Sequence, residues 1–165
     1  MIQQGELPGF GPYGTPVTSA YAGPTAWVSG ERGLSKASTA AEVARLKREG
    51  FTSALVEQLG SSVQNWAGLS WVMQLSSAAS ARAELAANLS QWRSSSTPSA
   101  KYVPFAVPTI PGAHGFSLGG SGDNVIFPDG PYLYLVGDGW SGTKQAPPRA
   151  VLLRAALTLY RRGRA

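Results

Sequence analysis

The 165-residue sequence contains no cysteine. That absence excludes disulfides, thiolate metal sites, thiol nucleophiles and iron–sulfur clusters together. It leaves the compartment open. There is a single histidine, His114, so most zinc sites are unavailable too and no metal or cofactor is expected. No apolar run reaches the roughly 18–20 residues of a membrane span. The opening Met1-Ile2-Gln3-Gln4 has neither the basic region nor the apolar stretch of a signal peptide.

Core material is plentiful: 43% of residues are hydrophobic, with 5 Trp, 6 Tyr and 5 Phe. That composition excludes a disordered chain. A chain of this length buries roughly 70% of its unfolded surface and needs no staple. One domain over residues 1–165 is expected, with residues 1–33 an irregular segment packed on it. Leu7, Phe10 and Trp27 are the residues expected to pin that segment. The 20 Gly and 12 Pro gather at residues 5–33, 98–130 and 137–148, as loops and hairpins do. The net charge of +5 is local: residues 144–165 hold six Lys/Arg and no acid, whereas residues 1–143 are close to neutral. A nucleic-acid binder spreads its basic footprint over a face, so no nucleic-acid partner is expected.

The element pattern reads as α+β. Thr39 and Glu42 have capping-box spacing for a helix from about Thr39 to Glu49, and Gly50 stands where a left-handed stop belongs. Phe51–Leu59 reads as a strand, with a turn at Gly60-Ser61-Ser62, and a short strand is expected near Ala26-Trp27-Val28. Leu69, Trp71, Met73 and Leu75 alternate with polar or smaller residues, the period of a half-buried strand. Ser77 is placed to cap a helix over about Ala78–Arg93. Pro104 restricts Tyr102–Val107 to a sheet edge. A short strand follows at Gly115–Leu118. Val125–Phe127 and Tyr132–Val136 flank the turn residues Pro128-Asp129-Gly130-Pro131, a hairpin. A last helix runs from near Pro148 to about Arg162. Short loops between strands require antiparallel pairing. The expected fold is an antiparallel sheet of about five to seven strands, covered mainly on one face by three helices.

The chemistry-bearing residues have plain structural readings. His114 lacks a second histidine or a nearby acid, and no Gly-x-Ser-x-Gly elbow exists. A hydrolase built on His114 is the weakest alternative, and no catalytic residue is assigned. Asp123, Asp129 and Asp138 sit beside Gly or Asn, where Asp forms turns, although Asp123 and Asp138 can approach each other across the hairpin's open end. Gly119-Gly120-Ser121-Gly122 leads into a strand rather than a helix and is not a phosphate loop. The aromatics carry the binding signal. Trp66, Trp71, Tyr132, Tyr134 and Trp140 are candidate ligand-binding residues, because a strand apolar on both faces implies two cover layers or a ligand surface. The last helix is apolar almost all round, so Leu152, Ala156, Leu159 and Tyr160 are candidates for a homodimer interface.

Glu6-Leu7-Pro8-Gly9-Phe10, Gly50-Phe51 with its strand, Ser77–Leu85 and Val125–Val136 resemble uncharacterised domains of actinobacterial secreted proteins and lipoproteins. That resemblance implies an extracytoplasmic domain, a sensor or binding module, and carries over no catalytic residue. The fold is similar in outline to Mog1/PsbP-like sandwiches, with a cystatin-like arrangement the alternative. Together these readings predict a non-enzymatic, extracytoplasmic binding or interaction domain. Its partner is a small apolar ligand or a protein. A homodimer on the last helix is the alternative.

Overall fold

The computed structural model describes residues 11–31, 36–61, 66–119, 122–140 and 146–164. Its elements are β1 (Gly11–Ala22), α1 (Pro24–Glu31), α2 (Lys36–Arg48), β2 (Ser53–Ser61), β3 (Trp66–Gln74), α3 (Ala78–Ser94), β4 (Tyr102–Phe105), β5 (His114–Leu118), β6 (Gly122–Asp129), β7 (Tyr132–Trp140) and α4 (Arg149–Arg162). The seven strands form one antiparallel sheet in the order β1-β2-β3-β7-β6-β5-β4. After β3 the chain crosses by α3 to the far edge. It then walks back through β4, β5 and β6, so that β7 closes the sheet against β3.

Local chemistry explains the element ends. Gly50 takes φ 70°, the Phe51 N–H reaches the Leu46 carbonyl at 2.9 Å, and the Gly50 N–H reaches Lys47 at 3.1 Å. These two bonds are the Schellman stop that the glycine announces. The Ser77 side chain caps α3 by accepting the Ser80 N–H at 3.1 Å. The β6–β7 hairpin turns on Gly130-Pro131, with Asp129 opposite Tyr132. Gly130 has φ 55° and Pro131 is held at negative φ, the combination of a type II′ turn. Pro104 lies on the edge strand β4, where its missing donor is harmless.

Sheet parity separates two cores. On one face Trp71, Met73, Ile126, Leu133 and Leu135 pack against Trp27 and Val28 of α1, Leu46 of α2, and Ala81, Leu85 and Leu89 of α3. On the other, Val125, Phe127 and Val136 pack against Leu152, Ala155, Ala156 and Leu159 of α4, with Val107 and Ile110. Strand β7 is therefore covered on both sides.

Several expectations change. The stretch around Ala26-Trp27-Val28 is helix α1, not a strand, because burying Trp27 and Val28 together needs neighbouring positions on one helical face rather than alternation. A twelve-residue strand, β1, occupies much of the segment expected to be irregular. Helix α2 begins at Lys36, so Thr39 lies inside it, and Glu42 bonds Arg45. Gly60 and Ser61 belong to β2, not to a turn. Helix α4 lies on the face opposite α1–α3 and makes a second layer. The anchoring role expected of Leu7 and Phe10, and the positions Ser62, Gly120 and Ser121, lie outside the described residues.

Candidate functional site

The expected aromatic groove is divided by the sheet. Trp71 is buried against Trp27, ring centroids 5.9 Å apart and edge to face. Tyr134 is on the other face, stacked on Phe127 at 5.1 Å, with Tyr132 at 6.2 Å from Tyr134. Trp66 and Trp140 are paired across β3 and β7, and Trp66 packs against the α4 core. Residues two apart on one strand share a face, so Trp71 cannot join Tyr132 and Tyr134 in one groove. The residues expected at an interface have a role within the chain. Leu152, Ala156 and Leu159 are consumed inside the chain by the second core, with Tyr160 packed beside them.

His114 is exposed at the start of β5, opposite Ile126. Among the described residues no carboxylate pairs with it.

A cleft opens elsewhere, on the α1–α3 face at one end of the central strands. Its volume is about 460 Å³, and it is lined by Gln58, Ala67, Gly68, Leu69, Asn124, Gly137, Asp138 and Gly139. That size falls within the range of small-ligand sites. Strands β2, β3, β7 and β6 supply the lining in adjacent register: Gln58 is opposite Leu69, Leu69 opposite Gly137, and Gly137 opposite Asn124. The floor lacks side chains at Gly137 and Gly139. A Cβ at Gly137 would run into the Asn124 Oδ1, so glycine there lets the Asn124 carboxamide lie across the floor. Gln58 and Asn124 bring one carboxamide each, donor and acceptor in the same group, and Leu69 adds an apolar side.

Behind the floor, on the α4 face, lies a charged cluster. Asp123 and Asp138 are directly opposite each other on β6 and β7. Arg149, at the start of α4, donates from Nε to Asp123 Oδ2 at 2.7 Å and from Nη2 to Oδ1 at 3.3 Å. The Ser117 hydroxyl also donates to Asp123, and the Arg149 guanidinium covers the Phe105 ring at 4.1 Å. Among the described residues Asp138 accepts the Asp123 backbone N–H alone, at 3.1 Å on Oδ1. Its buried Oδ2 has no hydrogen-bond partner. Burial, reinforced by the neighbouring Asp123 charge, pushes the Asp138 carboxyl up to about 7. Both aspartates were expected as turn formers. They are strand residues, and only the expectation that they approach each other describes their arrangement.

Another buried acid joins the helices. Glu84 of α3 is fully buried and accepts the Asn88 carboxamide at 2.6 Å and the Arg45 guanidinium of α2. Arg45 also holds Glu42 at 2.7 Å and Glu49 at 2.9 Å. Among the described residues no group of three or more metal-ligating side chains converges.

No family model matches the chain. No curated protein matches it. Among solved structures it is similar to the extracellular domain of PknH from Mycobacterium tuberculosis, at 14% identity and a TM-score of 0.46, over 90% of this chain and 84% of that one. No helix among the described residues is long and apolar enough to cross a membrane.

The cleft was not legible as a site. Its signals are two isolated carboxamides, Gln58 and Asn124, and the alternating Gly137-Asp138-Gly139. Only the sheet register brings them together.

Proposed function

We propose that this chain is a non-enzymatic, extracytoplasmic binding domain that takes a neutral, hydrogen-bonding ligand in the glycine-floored cleft. The observation that carries the reading is the cleft's lining. Two carboxamides and Leu69 face the space, while the Asp138 carboxyl turns to the opposite face of the sheet beside Asp123. A site of this kind pairs with a ligand offering both donors and acceptors, and its described lining provides no counter-charge for an ionic one. The placement outside the cytoplasm is supported by the resemblance of Glu6–Phe10, Ser77–Leu85 and Val125–Val136 to secreted actinobacterial domains. The cleft is preferred to the expected aromatic groove because Trp71 lies on the sheet face opposite Tyr132 and Tyr134 and is buried in the first core.

The test is an amide NMR titration with chitotriose, a capped neutral tripeptide and dioleoylphosphatidylglycerol vesicles. Shifts centred on Gln58, Leu69, Asn124, Gly137 and Gly139 with a neutral probe are expected. Shifts confined to other surfaces, or caused by the vesicles alone, would overturn the reading. Gly137→Ala displaces the Asn124 carboxamide and is expected to weaken a bound probe about tenfold, a change of about 1.4 kcal/mol.

A further inference from the structure

We propose that the Asp123–Asp138–Arg149 cluster is a proton-operated catch on the floor of the cleft, so that binding there is tightest at mildly acidic pH. The inference rests on the reading of the cleft as the ligand site.

The argument begins with placement. Like charges directly opposite on neighbouring strands repel, yet Asp123 and Asp138 occupy such positions. One cation serves both. Arg149 makes its carboxylate contacts to Asp123, at 2.7 and 3.3 Å, and also donates to the Ser117 hydroxyl at 3.2 Å, which itself donates to Asp123. Asp138 is left with one backbone N–H at 3.1 Å and a buried oxygen without a partner. A buried carboxylate so poorly matched keeps its proton, because ionisation in low dielectric needs compensation that this site directs elsewhere. The pair therefore holds one proton where two isolated aspartates would hold none.

The groups around Asp138 are few. Strand β6 brings Asp123, helix α4 brings Arg149, strand β5 brings the uncharged Ser117 against Asp123, and on β3 the residue opposite is Gly68. Among the described residues Asp123 and Arg149 are the charges that act on it, and burial is the larger influence.

The coupling to the cleft is through the backbone. Asp138 stands between Gly137 and Gly139, and all three line the cleft. Neither glycine has a side chain to hold its position. The strand is located there by its ladder and, from the reverse face, by Asp138. When Asp138 ionises, two negative charges compete for one guanidinium. Either Asp138 withdraws from Asp123 or Arg149 redistributes between them, and both responses move the Gly137–Gly139 segment relative to Asn124.

The experiment follows the Asp138 carboxyl carbon and the amides of Leu69, Asn124, Gly137 and Gly139 by NMR from pH 5 to 9, without ligand. The expected result is a shared midpoint near neutrality for Asp138 and the floor amides. Asp138→Asn, which imitates the neutral acid, is expected to leave those amides flat at their acidic-side positions with the rest of the spectrum unchanged. An Asp138 midpoint below pH 5 overturns the catch, as do floor amides that ignore its titration or titrate unchanged in Asp138→Asn. For a neutral probe that binds, affinity is expected to fall at least threefold between pH 5.5 and 8.5 in the parent and to stay level in Asp138→Asn. Equal affinity in the parent at both pH values also overturns it. Absence of binding by any neutral probe counts against the ligand reading alone, and the ligand-free titration still decides the catch.

Discussion

Glu84 and Asp138 are single residues whose protonation state the fold controls. Burial is the main cause in both, and both carboxyls are raised to about 7, from ordinary values of 4.5 and 3.8. For Glu84 the Arg45 charge opposes burial, but Arg45 is shared with Glu42 and Glu49. A folded-state pKa above the unfolded one means that folding favours the proton. The stabilisation is therefore fully present below the unfolded value and is lost as pH rises through about 7. At about 1.4 kcal/mol per unit, the Glu84 contribution has an upper bound of about 3–4 kcal/mol. Glu84→Gln keeps an acceptor for Asn88 and is expected to reduce the fall in unfolding free energy between pH 5 and 8.5. Urea denaturation at each pH measures this, and an unchanged slope would refute the assignment.

At the scale of elements, caps and covers divide the work. Ser77 satisfies an orphan N–H of α3, so Ser77→Ala is expected to cost about 1 kcal/mol, read as a lower urea midpoint at constant slope. Helix α4 contributes differently. Its buried Leu152, Ala155, Ala156 and Leu159 close the second core. Truncating Leu159 to Ala is expected to cost about 2–5 kcal/mol. Because that face is used within the chain, the melting temperatures of parent and variant are expected not to vary with protein concentration. A melting temperature rising with concentration would show that α4 also holds an interface.

At the scale of the whole molecule, Glu84 and Asp138 lie in different layers, Glu84 between α2 and α3 and Asp138 beside α4. Sites without shared partners contribute additively. The double variant Glu84→Gln with Asp138→Asn is therefore expected to lose most of the stability decline between pH 5 and 8.5, and each single variant part of it. Calorimetric melting across that range checks the sum. The sheet places the same two layers on either side of β7, which explains why that strand is apolar on both faces. Either an internal cover or an exposed binding surface accounts for such a strand; here α4 supplies the cover.

Short-range chemistry made some features legible from residues alone. Gly50 had to stop a helix, Ser77 had to cap one, Pro104 belonged on an edge, and the residues around Gly130-Pro131 had to form a hairpin, because each depends on neighbours within a few positions. Alternation over Leu69–Leu75 likewise identified a strand. Trp27 in a helix, β1 as a long strand, and α4 on the opposite face were decided by what each segment packs against. The cleft and the acid pair belong to the same class. Gln58, Leu69, Gly137 and Asn124 are neighbours only through the order β2-β3-β7-β6, and Asp138 is an unusual acid because the fold buries it beside Asp123. Local propensity sets the elements, whereas register and burial, which join residues distant along the chain, set the site.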